Sequence, residues 1–168
     1  MKRNIITTAD GSKTIQIEEW NEQYHSVHGA IQEAEHVFLK NGLYHYYHAS
    51  NVSNKNISIL EIGFGTGLNA FMTFLEAEKM GVKINYVGVE AFPVELNEIN
   101  QLNYVSQLEA KNKENVFTLM HRSSWEIGTL ITSNFKLTKQ NKYFSDIKDK
   151  DYYNIIYFDA FGSRVQPE

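Results

Sequence analysis

The chain contains no cysteine. Disulfides, thiolate metal sites and a cysteine nucleophile are therefore excluded. Proline is almost as scarce, with two in 168 residues, and one of them, Pro93, stands where a helix would start. No apolar run approaches the length of about 18 residues needed to cross a bilayer. The N-terminus, Met1-Lys2-Arg3-Asn4, leads into alternating residues rather than the apolar stretch of a signal peptide, so a cytoplasmic protein with no membrane partner is expected. A formal net charge of −4 provides no general attraction to polyanions, and a nucleic-acid partner would need a local basic patch. Two phosphate-binding fingerprints are also missing. Gly63 and Gly65 begin a Gly-x-Gly-x-x-Gly dinucleotide motif, but position 68 is Leu; no Gly-Lys-Ser/Thr follows, so there is no P-loop.

What is present is a single-domain composition, 42% hydrophobic and 13% aromatic, organised around one segment. Residues Ile57 to Ile62 form a β-branched run that feeds the turn Glu61-Ile62-Gly63-Phe64-Gly65-Thr66-Gly67. Leu68 to Met80 then carries apolar residues at 68, 71, 72 and 75 with Gly81 as a stop, the pattern of a helix. Ile84 to Glu90 reads as a second buried strand ending in an acid. Such a strand-helix-strand unit is right-handed with parallel strands, and its ligand crevice lies at the strands' C-terminal ends. An acid at the tip of the second strand accepts both hydroxyls of a ribose, which makes Glu90 the candidate for that task. A third run, Asn154 to Asp159, again ends in an acid.

The flanking segments are less uniform. Residues 1–20 alternate around Asp10-Gly11 as a β-hairpin, and residues 29–40 have helical spacing with Asn41-Gly42 as a stop. Together they make residues 1–50 a hairpin-and-helix extension, leaving 51–168 for the ligand-binding domain. Pro93 to Ala110 reads as one helix, Phe117 to Ile131 as helical around Trp125, and Phe135 to Phe144 as a weak strand. Lys136, Lys139 and Lys142, read as alternating on one strand face, would with Arg122 either touch nucleic-acid phosphates or simply face solvent. His25 with His28, and His45 with His48, are spaced three apart as paired ligands can be on a helix, but fixed-spacing carboxylate partners are lacking, and no metal is expected.

The glycine spacing resembles the first motif of class I S-adenosylmethionine-dependent methyltransferases, whose fold is a Rossmann-like, doubly wound α/β sheet. The combination of Glu61 to Asn69, Val89-Glu90-Ala91-Phe92-Pro93, Tyr157-Phe158-Asp159-Ala160-Phe161 and Pro167-Glu168, with upstream Tyr24 to Ala30, Glu33 and His36-Val37-Phe38, resembles the MnmC/MnmD family of tRNA methyltransferases. That resemblance implies methyl transfer from S-adenosylmethionine to the aminomethyl nitrogen of 5-aminomethyl-2-thiouridine at a tRNA wobble position. It also implies a flavin-dependent oxidase partner, fused or separate. The implied cofactor contacts are Glu61, Gly63, Phe64, Gly65, Thr66, Gly67, Asn69, Glu90, Ala91, Phe92 and Asn141, with Asp146 as an alternative to Asn141 at the adenine. Asp159 is the implied catalytic carboxylate, and Tyr24, His28 and Phe161 line the substrate pocket. About four of the seven strands of such a sheet fall within the chain, which implies C-terminal truncation and leaves residues 154–159 as an apolar edge. A methyltransferase for a small molecule or protein, and an inactive remnant, remain open alternatives.

Overall fold

The computed structural model describes residues 2–50 and 56–160. The N-terminal alternation forms β1 (Arg3–Thr7) and β2 (Lys13–Ile17), antiparallel with Ile5 opposite Ile15, and a short β3 (Glu22–Gln23) adds a third strand that the spacing did not announce. At the hairpin tip, one carboxylate does two jobs. Asp10 Oδ1 accepts from the Ser12 amide (3.0 Å) and the Thr8 hydroxyl (2.7 Å), while Oδ2 accepts from the amides of Ile31 and Gln32, both at 3.1 Å. Ile31 and Gln32 belong to the first turn of α1 (Ala30–Ala34), whose own N-cap residue, Gly29, has no side chain to offer. Asp10 therefore caps the helix from across the hairpin, supplying acceptors to otherwise orphaned amides.

The helix does not stop at Asn41-Gly42. From α1 it continues through a π-helical segment, Glu35–Tyr44, into α2 (His45–Ala49). Gly42 permits close packing rather than termination, since a Cβ there would lie 2.9 Å from the Tyr157 ring. Phe38, Leu39 and Leu43 are buried in the main core, and Phe38 packs on Tyr157 with ring centroids 5.1 Å apart.

The central unit forms as its periodicity predicts: β4 (Asn56–Ile62), α3 (Leu68–Met80) and β5 (Lys83–Val89), with β4 and β5 parallel. Next come the short helices α4 (Leu96–Ile99) and α5 (Tyr104–Gln107), then α6 (Glu114–Arg122), β6 (Thr129–Thr132), β7 (Phe135–Gln140) and β8 (Ile155–Phe158). The sheet order is β6-β7-β5-β4-β8, with only β6 antiparallel to its neighbour. Two expected helices are thus shorter than read. The 93–110 helix is broken because Asn103 is used elsewhere: its Oδ1 accepts from Lys13 N (2.8 Å) and its Nδ2 donates to Gly11 O (2.9 Å), tying this segment to the hairpin. The 117–131 helix ends at Arg122, and Trp125 instead bridges to Lys139 beside β7.

Helices cover one face of the sheet. Ile57, Ile59, Ile84, Tyr86, Phe135, Leu137, Ile155 and Tyr157 share a core with Phe71 and Phe74 of α3 and with Phe117 and Met120 of α6. Each fully buried large side chain of this kind contributes about 1.5–3 kcal/mol. On the other face Leu60, Val87 and Val89 are shielded only by Ile62, Ile147 and Tyr153, and no helix of the described residues joins them. The edge strand β8 leaves Ile156 and Phe158 each 61% exposed, the apolar edge that the strand pattern implies. The lysine reading needs correction. Strand side chains alternate with period two, so Lys136 and Lys139 fall on opposite faces: Lys136 is exposed, whereas Lys139 is buried, donates to His121 O at 2.7 Å and sits 4.9 Å from the Trp125 ring centroid. Among the described residues no helix is long and apolar enough to cross a membrane.

Burial alone would raise the Asp10 carboxyl, but hydrogen bonds from Ser12, Thr8 and Gln32 outweigh it and hold it at about 2, below its ordinary 3.8. A depressed carboxyl contributes stability above its unfolded value that is lost as pH falls toward the folded one. We expect Asp10→Ala to cost about 1–2 kcal/mol in urea unfolding at pH 7, with the gap to the unmodified protein narrowing between pH 4 and 2.

Candidate active site

Parallel pairing brings three strand ends level. Ile62 lies opposite both Val89 and Phe158, so Gly63, Glu90 and Asp159, far apart in the chain, leave the sheet side by side. Around them is a crevice of about 400 Å³, within the range of small-molecule sites. Its floor is Gly63, Gly65, Glu90 and Asp159. One wall is the segment Tyr24-His25-Ser26 with Glu33, and the other is Lys142-Tyr143-Phe144, directly beyond β7.

The glycine turn is shaped by close approach. Gly63 has φ +91°, and a Cβ there would collide with the Asp159 carbonyl oxygen; at Gly65, with φ +49°, it would lie 2.8 Å from the Tyr24 ring. The loop's amides are already committed. Gly63 N and Phe64 N donate to Val89 O at 2.9 and 3.0 Å, and Gly67 N to Phe64 O at 2.9 Å. Gly65 N donates to Glu90 Oε2 at 2.9 Å. The other Glu90 oxygen, Oε1, accepts from Phe92 N at 2.9 Å. A turn whose N–H groups are used in this way has few left to cradle a pyrophosphate, which agrees with the missing dinucleotide fingerprint.

Beneath the crevice lies a linked pair of acids. Asn69, on the first turn of α3, donates from one nitrogen to Glu61 Oε1 at 2.9 Å and to Asp159 Oδ2 at 2.7 Å. Burial raises the Asp159 carboxyl to about 7, with Glu33 and Glu90 adding repulsion and the Asn69 hydrogen bond opposing it. Glu61, 1% exposed, is raised well above the carboxylate range by burial and then by Asp159. His25 is held neutral, its imidazole lowered to about 4 by burial, with Nδ1 3.0 Å from Thr14 Oγ1.

Of the residues singled out in the sequence, Tyr24, Gly63, Gly65, Glu90, Ala91 and Asp159 line the crevice. Glu61 and Asn69 lie behind it. Phe64 is buried, and Thr66 Oγ1 accepts from the Tyr104 hydroxyl at 3.1 Å. Gly67 sits in the left-handed conformation at the start of α3. Phe92 is on the rim, its ring 6.0 Å from that of Tyr143. Asn141 Nδ2 donates to Glu90 O (2.8 Å) and Ala91 O (3.3 Å), holding together the loops after β5 and β7. Asp146 is exposed on the turn Phe144–Asp146, and His28 is exposed away from the crevice lining. Phe161 and Pro167-Glu168 lie outside the described residues. Sequence reading named Lys142 only as a phosphate contact or solvent-facing lysine and did not single out Tyr143 and Phe144; their position just past a parallel strand end was the available signal. Ser26 and Glu33 entered the sequence reading only within the resemblance, with no role; the hairpin's docking brings them in, where Ser26 N donates to Glu33 Oε2 at 2.7 Å.

The fold is α/β and Rossmann-like, with a crevice at the C-terminal ends of its parallel strands. Compared with solved structures, it superposes on MNMC2 from Aquifex aeolicus with a TM-score of 0.69 at 24% identity, covering 96% of this chain and 50% of that one. Among curated proteins, the tRNA 5-methylaminomethyl-2-thiouridine biosynthesis bifunctional protein MnmC of Leptospira interrogans is 36% identical over 101 residues, 58% of this chain. MnmC of Delftia acidovorans is 26% identical over 166 residues, 89% of this chain. No family model matches. The chain is similar to these MnmC proteins over the stretches matched, and it spans 16% of the length of the first and 24% of the second.

An acid whose folded pKa lies above its unfolded value loses stability as pH rises between the two, here from about 4 to about 7. We expect Asp159→Asn to raise the melting temperature by a few degrees at pH 8, with the gain shrinking toward pH 4, as measured by thermal scans across that range.

Proposed function

We propose that the chain binds S-adenosylmethionine and directs its methyl group to the aminomethyl nitrogen of a 5-aminomethyl-2-thiouridine at the tRNA wobble position. The observation that carries this reading is the charge of the crevice. Among the described residues, Glu22, Glu33, Glu90 and Asp159 line it against a single lysine, Lys142. Such walls favour a cationic ligand and oppose a polyphosphate. A sulfonium-bearing amino acid and a protonated aminomethyl group are both cations, while NAD and nucleoside triphosphates are anions. The names carried by the MnmC relatives supply the substrate class.

The residues fit the cofactor. Gly63 and Gly65 line the crevice with backbone alone, Glu90 supplies acceptors for ribose hydroxyls, and Tyr24, Tyr143 and Phe144 offer aromatic walls. When bound, S-adenosylmethionine supplies an electrophilic methyl group. The chain's task is then alignment and proton management. A substrate ammonium has no lone pair until it gives up a proton, and Asp159, buried and poised near neutrality, accepts that proton and orients the remaining N–H bonds. The reading also implies a cytoplasmic enzyme working with a flavin-dependent oxidase that handles the same uridine.

Calorimetry with S-adenosylhomocysteine is expected to give micromolar binding, weakened about tenfold or more by Glu90→Ala, which removes two hydroxyl contacts. Unchanged affinity in that variant, or preferential binding of NAD, overturns the cofactor assignment. With labelled S-adenosylmethionine and undermodified tRNA, label should enter the tRNA, and Asp159→Asn should slow transfer about 10²–10⁴-fold. Label only in protein or metabolites rejects the tRNA reading.

A further inference from the structure

We infer that Asn69 is a positioning residue for Asp159, anchored from behind by a Glu61 side chain that works as a neutral acid. This rests on the reading of Asp159 as the proton acceptor and deepens it.

The geometry comes from three separate elements. Glu61 is on β4, Asn69 on the first turn of α3, and Asp159 just past β8. The amide nitrogen of Asn69 has two hydrogens, and both are spent: one on Glu61 at 2.9 Å and one on Asp159 at 2.7 Å. A side chain with both donors directed at two carboxyl groups has its plane fixed, and Asp159 inherits an orientation that backbone geometry alone does not give. Asn69 is 2% exposed and does not line the crevice, which argues for support rather than ligand contact.

The surroundings of Glu61 favour its neutral form. No cation faces it. Asp159 and Glu90 lie on the crevice side and Glu33 beyond Asp159; Tyr86 of β5 and Tyr157 of β8 are its other titratable neighbours. Glu61 Oε2, Asn69 Oδ1, Thr73 Oγ1, Tyr86 Oη and Tyr157 Oη are all buried with no hydrogen-bond partner. Asn69 Oδ1 can only accept, and a carboxylic acid at Glu61 adds a donor beside it, while the Thr73, Tyr86 and Tyr157 hydroxyls can serve either form. The neutral acid also avoids a second buried negative charge beside Asp159.

The test reads the pH dependence of methyl transfer to undermodified tRNA alongside S-adenosylhomocysteine affinity. Because Asn69 donates to the Asp159 carboxylate, its loss disfavours the charged form. In Asn69→Ala the acidic limb of kcat is expected to move up by about half a pH unit or more, with kcat reduced about tenfold or more at pH 7 and cofactor affinity within about twofold. Glu61→Leu should shift the limb the same way, and Glu61→Gln should return it to its original position. A fixed limb with weakened cofactor binding in Asn69→Ala overturns the proposal and makes Asn69 a cofactor contact. If Asp159→Asn keeps activity and the same limb, the reading of Asp159 fails instead. Carbon-13 titration of the side-chain carboxyls in the unmodified protein needs no variant: Glu61 should stay protonated while Asp159 titrates, and a Glu61 that ionises before Asp159 overturns the proposal.

Discussion

The site depends on the register of three parallel strands. With Ile62 level with both Val89 and Phe158, the chain turns away from the sheet at Gly63, Glu90 and Asp159 in one plane. Slipping either pair by one residue would send these side chains to the opposite face, because side chains alternate along a strand. The buried alternation of Ile57 and Ile59, Ile84 and Tyr86, and Ile155 and Tyr157 against the helices resists such a slip. A hydrophobic requirement thereby fixes polar chemistry at the rim.

Around that frame, hydrogen bonds join segments that the sheet alone would leave independent. Glu90 ties the glycine turn to the loop after β5, and Asn141 ties that loop to the one after β7. The hairpin is secured by Asp10 on the first turn of α1 and by Asn103. Arg3 adds donations to Phe92 O and Pro93 O, at 2.8 and 3.2 Å, and an ion pair to Glu98. The hairpin is thus more than an appendage, for without it Tyr24, His25 and Ser26 would not form a wall.

The acids of the crevice carry a cost. Asp159 and Glu61 are both held away from their ordinary range by burial, and Asn69 bridges them. Folding would be easier with neutral residues at these positions. Asp159 alone is poised near neutrality, where a group can exchange a proton at working pH.

Local patterning made the central unit legible. Short-range alternation and helical spacing located β4, α3 and β5, the glycine spacing excluded a pyrophosphate site, and an acid at each strand end marked Glu90 and Asp159. Where propensity competed with long-range contacts, the reading failed: Gly42 did not end a helix because the Tyr157 ring fills the space beside it, and Asn103 broke one because its amide serves the hairpin. The three-residue spacing of Lys136 and Lys139 suggested one face until the pleat separated them. Only the tertiary structure could decide that Ser26, Glu33, Tyr143 and Phe144 share a crevice, or that Asn69 joins two acids 98 positions apart, from Glu61 to Asp159. Sequence periodicity reports which way a residue faces along its own element, whereas which elements meet is set by burial and pairing across the whole chain.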